Sequence, residues 1–316
     1  MPTMSIITSD INQAQRLLNE GHLVAIPTET VYGLAGNALN PLAVSKIFEA
    51  KRRPFFDPLI VHIANENQLK LCVDEIPDKA NLLMEKFWPG PLTLLFQKSN
   101  LIPDIVTSGL PKVAVRMPNH ALTLSLLNGL EFPLAAPSAN PFGYISPTCA
   151  EHVAKNLGDV ILMVLDGGNC AVGLESTIVD ASETPVKILR LGGVSVEEIE
   201  KCLGEAVLVQ KSSSQPQAPG MLDSHYAPRK PMYWFNESIH ALSSSRIGYL
   251  SFNHDLIGDI VFELSKKGDL VEAAAHLFQG MRWLDDQDVD CIVVKPFPDE
   301  GIGKAINDRL SRACQS

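Results

Sequence analysis

Seven short segments between residues 27 and 190 hold most of the side chains suited to chemistry. They read Pro27-Thr-Glu-Thr30-Val-Tyr-Gly33, Lys51-Arg-Arg53-Pro54, Val113-Ala-Val-Arg116-Met-Pro118, Pro137-Ser138-Ala-Asn140, Ser146-Pro-Thr148, Glu175-Ser176-Thr177 and Ile188-Leu-Arg190. Guanidinium forks match phosphate and carboxylate geometry, and Ser and Thr hydroxyls add donors. Proline fixes the backbone so that little entropy is lost on binding. No His/Cys cluster has metal-ligand spacing, and no Gly-x-Ser-x-Gly elbow announces a nucleophile. The inventory suits a site that binds, neutralises and aligns two small charged molecules, without attack by a protein side chain.

Each segment follows or ends an apolar run that reads as a strand, which places it at a sheet rim, where α/β folds bind ligands. Leu23–Ile26, Leu59–Ile63, Leu92–Phe96, Val113–Arg116 and Val160–Leu165 are expected strands. Thr177–Asp180 and Val186–Leu189 form an expected pair around the turn Ser182-Glu-Thr-Pro185. Asp10 and Asn40-Pro41 cap expected helices, the second delivering Lys51 and Arg53 at its end. Further helices are expected near 78–87, 119–128, 148–157 and 195–203. This alternation predicts an α/β fold with a twisted, mixed, open sheet and flanking helices.

Composition changes at Lys211-Ser-Ser-Ser-Gln-Pro-Gln-Ala-Pro219-Gly220, which reads as a linker. It runs into His225-Tyr226-Ala-Pro228, too aromatic for a pure spacer. A strand at Ile247–Phe252, a helix through Leu270–Met281, the strand Cys291–Val294 and a last helix through Ile306 and Leu310 predict a smaller α/β, Rossmann-like second unit. The expected boundaries are 1–208 for a catalytic domain, 209–230 for a linker that acts as a lid, and 231–316 for the second domain.

The 316 residues are enough for two cores, and 46% apolar with 20% charged content is ordinary for a globular protein. A net charge of −10 argues against a surface coated for nucleic acid or anionic membrane. Six cysteines without Cys-x-x-Cys spacing read as reduced thiols. The first residues have no signal-peptide pattern and no apolar run approaches the ~18 residues of a membrane span, so a cytoplasmic protein without membrane contact is expected.

The seven segments, in this order, resemble the L-threonylcarbamoyladenylate synthases, the YrdC-like proteins, in their longer form. His225-Tyr-Ala-Pro228 and Ala305-Ile-Asn-Asp-Arg309-Leu are similar to that form's linker and tail. The resemblance implies a reaction of L-threonine, bicarbonate and ATP. A carbamate attacks the α-phosphate, pyrophosphate leaves, and threonylcarbamoyl-AMP passes to a tRNA threonylcarbamoyl transferase complex, with direct tRNA contact left open. It implies Mg²⁺ as cofactor, brought with ATP. By position it puts the threonine pocket on Thr30, His62, Arg116 and Ser176. It puts ATP on Lys51, Arg53, Ser138, Asn140, Ser146 and Arg190, with Tyr226 folding over from the linker. Two positions depart from the family pattern. Asp57 stands where a neutral Asn is usual and would repel phosphate unless Mg²⁺ or an arginine offsets it; Lys112 stands where a small hydroxyl residue is common and would add an ATP contact. No residue is assigned as a general acid or base.

Each residue also has a purely structural reading: a rim ion pair for Arg116, a hydrogen-bonded strand histidine for His62, a turn or cap for Ser138 and Asn140, and a solvated helix end for Lys51–Arg53. Gly301-Ile-Gly-Lys304 fails as a phosphate loop because Ala305 replaces the required Ser/Thr, and it reads as the opening of the last helix. The alternative from another class is a module that binds tRNA or double-stranded RNA in the same basic concavity, against which the acidic total and the missing aromatic RNA motif weigh. A carbamoyl-transfer role like that of YrdC-like domains in hydrogenase maturation would expect zinc-finger or acylphosphatase-like units, and neither pattern occurs.

Overall fold

The computed structural model describes residues 5–210, 226–235 and 246–314. Most of the expected lid, including His225, lies outside the described residues. The first unit begins β1 (Ile6–Thr8), α1 (Ile11–Asn19), β2 (Val24–Ile26), β3 (Gly33–Asn37), α2 (Pro41–Lys51), β4 (Ile60–His62), α3 (Glu66–Cys72), α4 (Asp78–Phe87) and β5 (Leu92–Gln97). It continues through α5 (Asp104–Thr107), β6 (Lys112–Arg116), α6 (Ala121–Asn128), β7 (Leu134–Ala135), α7 (Ala150–Leu157), β8 (Met163–Leu165), β9 (Thr177–Asp180), β10 (Lys187–Arg190), α8 (Val196–Leu203) and β11 (Leu208–Val209). The second unit has β12 (Met232–Trp234), β13 (Ile247–Ser251), β14 (Ile260–Glu263), α9 (Leu270–Asp286), β15 (Cys291–Val294) and α10 (Gly303–Ala313).

The large sheet runs β1-β8-β2-β3-β7-β4-β6-β5-β9-β10-β11 and is mixed: β4 and β6 are parallel, whereas β5 and β6, and β9 and β10, are antiparallel. The second sheet, β12-β15-β13-β14, is parallel throughout. Local chemistry fixes the helix starts. Asp10 accepts from Gln13 N at 3.1 Å, Asn40 caps α2 with Pro41 in its first turn, and Ser195 and Glu198 form a reciprocal capping box on α8.

Several short elements, among them β1, α3, β7, β12 and β14, have no counterpart among the expected ones, and two further differences have a local cause. Only Met163–Leu165 of the run from Val160 pairs as strand, because Val160 and Ile161 donate back to Leu157 O and finish the turn after α7. β3 is a strand despite Gly-Leu-Ala-Gly, since both neighbours in the sheet supply partners and tertiary pairing outweighs weak propensity.

Apolar side chains from the two faces of the large sheet form separate cores, one around Phe48, Val61, Leu94 and Val115, the other around Leu18, Ile26, Leu127 and Leu165. A third core joins the units: Val31, Ile145 and Leu174 pack with Tyr226 against Leu277, Phe278, Ile306 and Leu310. Gly173 marks how closely they meet. It has φ +71°, and a Cβ there would lie 2.5 Å from Ala275 Cα and O, so both backbone conformation and space require glycine.

Candidate functional site

A cavity of about 50 Å³ opens where the rims of the strands converge. β4 ends in His62 and β6 in Arg116, which are partners in the parallel ladder, so their side chains emerge beside each other. β10 ends in Arg190, and Ser176 directly precedes β9. Thr30, Arg53, His62, Arg116, Ser138, Ser176, Arg190 and Tyr226 all line this one cavity.

On one side, Arg116 is tethered at three points. Its Nε donates to Gly90 O at 3.1 Å, Nη1 donates to Thr30 Oγ1 at 2.7 Å, and Nη2 lies 2.6 Å from Glu29 Oε1. Thr30 Oγ1 is also 2.8 Å from Thr28 Oγ1, whose hydroxyl donates to Val31 O. Burial, with Arg116 adding repulsion, pushes the His62 imidazole down to about 3, so it is neutral at pH 7. Its Nδ1 is buried with no hydrogen-bond partner among the described residues. A buried orphan nitrogen lining a cavity points to a ligand that completes it.

On the other side, Arg190 donates from Nε and Nη2 to Ser176 O at 3.1 and 3.0 Å, and from Nη2 to Ser176 Oγ at 3.1 Å. Ser176 Oγ is in turn 2.7 Å from Thr93 Oγ1. Arg53 bonds the carbonyls of Asp57 and Pro58, and its Nη2 is 2.8 Å from Asp57 Oδ2. The carboxylate of Asp57 is therefore offset by a protein arginine. Burial raises its pKa and Arg53, Lys51 and Arg190 oppose that rise.

Lys51, Asp57, Asn140 and Ser146 are not among the residues lining the cavity. Lys51 Nζ donates to Ser138 O and Asn140 O, both at 2.5 Å, bracing that loop from beneath, and burial lowers its pKa well below the usual lysine value. Asn140 donates to Pro141 O and Tyr144 O. Ser146 Oγ donates to Glu175 Oε1 at 2.6 Å. Lys112 is not brought to the site. It starts β6 while Arg116 ends it, about 13 Å away at ~3.3 Å per residue, and it pairs with Asp180 and Glu183.

At about 50 Å³ the cavity holds only a few waters, far less than the ~300 Å³ or more of a typical ligand pocket. Tyr226, 1% exposed at φ +66°, forms part of its wall and stacks on Phe278 at 5.6 Å. The three arginines are 3–7% exposed. Phosphates of a duplex RNA are met by accessible cations, so the geometry gives the RNA-module reading no support.

Glu29, Glu175 and Thr28 are functional candidates that sequence reasoning quoted only as parts of segments. Glu175 lines the cavity; burial disfavours its charge, but Arg309, Arg190 and the Ser146 hydrogen bond outweigh burial and hold its pKa below the usual value.

This fold and this cavity define an α/β enzyme-type anion site. Residues 16–192 match the Sua5/YciO/YrdC family model, described as telomere recombination, and residues 194–315 match the threonylcarbamoyl-AMP synthase C-terminal domain. The chain belongs to the Sua5/YciO/YrdC family. It is 43% identical to the threonylcarbamoyl-AMP synthase of Pyrococcus abyssi over 96% of this chain and 93% of the relative. It is 41% identical to that of Bacillus subtilis over 98% and 95%. The crystal structure of P. abyssi Sua5 complexed with L-threonine superposes with a TM-score of 0.91 at 40% identity, covering 98% of both chains.

Proposed function

We propose that the protein is a threonylcarbamoyl-AMP synthase, a nucleotidyltransferase that condenses L-threonine, bicarbonate and ATP. The observation that carries this is one cavity lined both by Arg116, Thr30, His62 and Ser176 and by Arg53, Ser138 and Arg190. The similarity to the P. abyssi structure complexed with L-threonine supports threonine as the amino-acid substrate; the first set is assigned to it on its chemistry.

The threonine amine adds to the carbon of bicarbonate, with loss of water, to give a carbamate. A carbamate oxygen then forms a bond to the α-phosphorus as the bond to the β-phosphate bridging oxygen breaks, and pyrophosphate leaves. Arg116 binds the threonine carboxylate, while Thr30, His62 and Ser176 orient its amine and hydroxyl. Neutral His62 can accept a hydrogen bond without adding charge. Arg53 and Arg190 neutralise charge developing on phosphate, with Ser138, Asn140 and Ser146 completing the nucleotide side on a loop braced by Lys51. Asp57 acts through Arg53, and Lys112 stabilises the far end of β6 and β9.

Tyr226 excludes water, which protects both the carbamate and the mixed anhydride. The units 1–208, 209–230 and 231–316 act as catalytic domain, lid and supporting domain. Among the described residues no three His, Cys, Asp or Glu side chains converge as a metal site, and the carboxylate that lines the cavity, Glu175, faces Arg309, so Mg²⁺ would be held chiefly by the ATP phosphates, whose charge it neutralises. The product passes, in the cytoplasm, to a tRNA threonylcarbamoyl transferase complex. Mass spectrometry after incubation with all three substrates and Mg²⁺ tests the reading: a species with the mass of threonylcarbamoyl-AMP is expected, and AMP or ADP alone would contradict it.

A further inference from the structure

Arg309 lies on α10, in the second unit, yet its side chain is 0% exposed, and among the described residues its contacts outside its own helix fall on Tyr226 or next to Ser176 and Arg190. Nε donates to Glu175 Oε2 at 2.8 Å, and Glu175 precedes Ser176. Nη2 donates to Leu191 O at 2.7 Å, and Leu191 follows Arg190. The guanidinium carbon sits 5.0 Å from the centre of the Tyr226 ring. Asp308 neutralises the remaining edge through Nη1 at 2.5 Å.

The other oxygen of Glu175 accepts from Ser146 Oγ, and the Ser146 carbonyl is held by Arg282 Nε of α9 at 3.3 Å. The carbonyl and the hydroxyl of Ser146 are thus set by the second unit, the first directly and the second through Glu175. We infer that Arg309 is a positioning residue for the nucleotide half of the site. It sets Ser146 through Glu175, seats Arg190 through the Leu191 carbonyl, and holds the Tyr226 ring in the closed position, so that the second unit completes the ATP site of the first. This rests on the proposed function for the identity of the nucleotide.

A planar fork suits this task and an ammonium does not. Arg309 makes parallel use of an acid, a carbonyl and a ring face, whereas lysine keeps the charge but neither the second directed donor nor the stack. Removing the arginine leaves Glu175 as a buried carboxylate with one fewer partner, in a cavity that must accept phosphate.

The test uses the full chain and Mg²⁺–ATP as probe. Calorimetric ATP affinity and steady-state constants for ATP and threonine are measured for the parent, Arg309→Met, Arg309→Lys and Lys304→Met. Lys304 pairs across the same units with Glu197 at the surface, away from the cavity, so Lys304→Met reports on docking alone. Arg309→Met is expected to weaken ATP binding and raise the ATP KM about tenfold or more while the threonine KM stays within about twofold, Arg309→Lys to recover part of the loss, and Lys304→Met to bind as the parent does.

ATP affinity within twofold of the parent in folded Arg309→Met would overturn the inference, as would equal losses for both substrates. Should Arg309→Met fail to fold, Arg309→Lys decides the matter: a loss of at least about threefold in ATP affinity supports the inference, and parental affinity rejects it. A parent chain that binds ATP without threonine-dependent turnover would refute the proposed reaction while leaving the Arg309 comparison readable from affinity.

Discussion

The Glu29 carboxylate lies 2.6 Å from Arg116 Nη2, with both side chains less than a tenth exposed. Together with Gly90 O and Thr30 Oγ1 it fixes the guanidinium before any substrate arrives. Less side-chain entropy is then lost when a carboxylate docks. Arg116→Ala is expected to raise the threonine KM roughly 10²-fold with little change in the ATP KM. Arg116→Lys should recover only part, because an ammonium cannot hold all three tethers. Steady-state kinetics with each substrate varied check this, and a defect confined to ATP would reverse the assignment.

Arg53 is expected to serve the opposite substrate. Its Nη2 and Nε are anchored on the Asp57–Pro58 turn, which aims the head at the cavity. Arg53→Ala should lower kcat/KM for ATP by about 10²–10³, the usual cost of losing one preorganised charge stabiliser, with threonine binding largely kept. Threonine titration of the variant is the check, and lost threonine affinity with normal ATP use would count against it.

Asp57→Asn removes the carboxylate that competes with phosphate for Arg53. The nucleotide-free protein should lose roughly 1–3 kcal/mol because a buried cation is left underpaired. ATP should in turn stabilise it by more than it stabilises the parent, since phosphate replaces the lost charge. Thermal unfolding with and without Mg²⁺–ATP measures both terms. An ATP-induced rise equal to the parent's would mean that Asp57 and phosphate do not share Arg53.

Two histidines, His62 buried and His152 half-buried, make stability depend on pH. Burial lowers His62 to about 3 and His152 to about 4, each from 6.5. Below pH 6.5 the unfolded chain binds protons that the folded chain refuses, so stability is full above 6.5 and falls as pH drops toward those values. Each histidine contributes up to about 1.4 kcal/mol per pH unit. His62→Gln should make the slope shallower between pH 6 and 4, as read by denaturant unfolding at several pH values. An unchanged slope would show that His62 is accessible to protons in the folded state.

Legibility followed the range of the interactions. His62 and Arg116 end adjacent parallel strands; the apolar runs made both strands legible, but only the family resemblance put the two residues in one pocket, since alternation alone reads His62 as structural. Lys112 sits four residues before Arg116 on the same strand, and motif position could not reveal that the strand carries it to the opposite end. Lys51 was recognised as a cation near the site, but only the fold shows that its ammonium braces two carbonyls. β3 escaped notice because its glycines hide a strand held by neighbours on both sides. Glu175 and Arg309 are 134 residues apart, and no local pattern links an acid before a strand to an arginine on the last helix.

The central claim is that one cavity joins threonine-derived carbamate to the α-phosphate of ATP. Pyrophosphate release from Mg²⁺–ATP, measured with and without L-threonine and with and without bicarbonate, tests it most directly. The account predicts release that requires both additions. Release that is absent, or indifferent to threonine, from folded protein that binds ATP would contradict it.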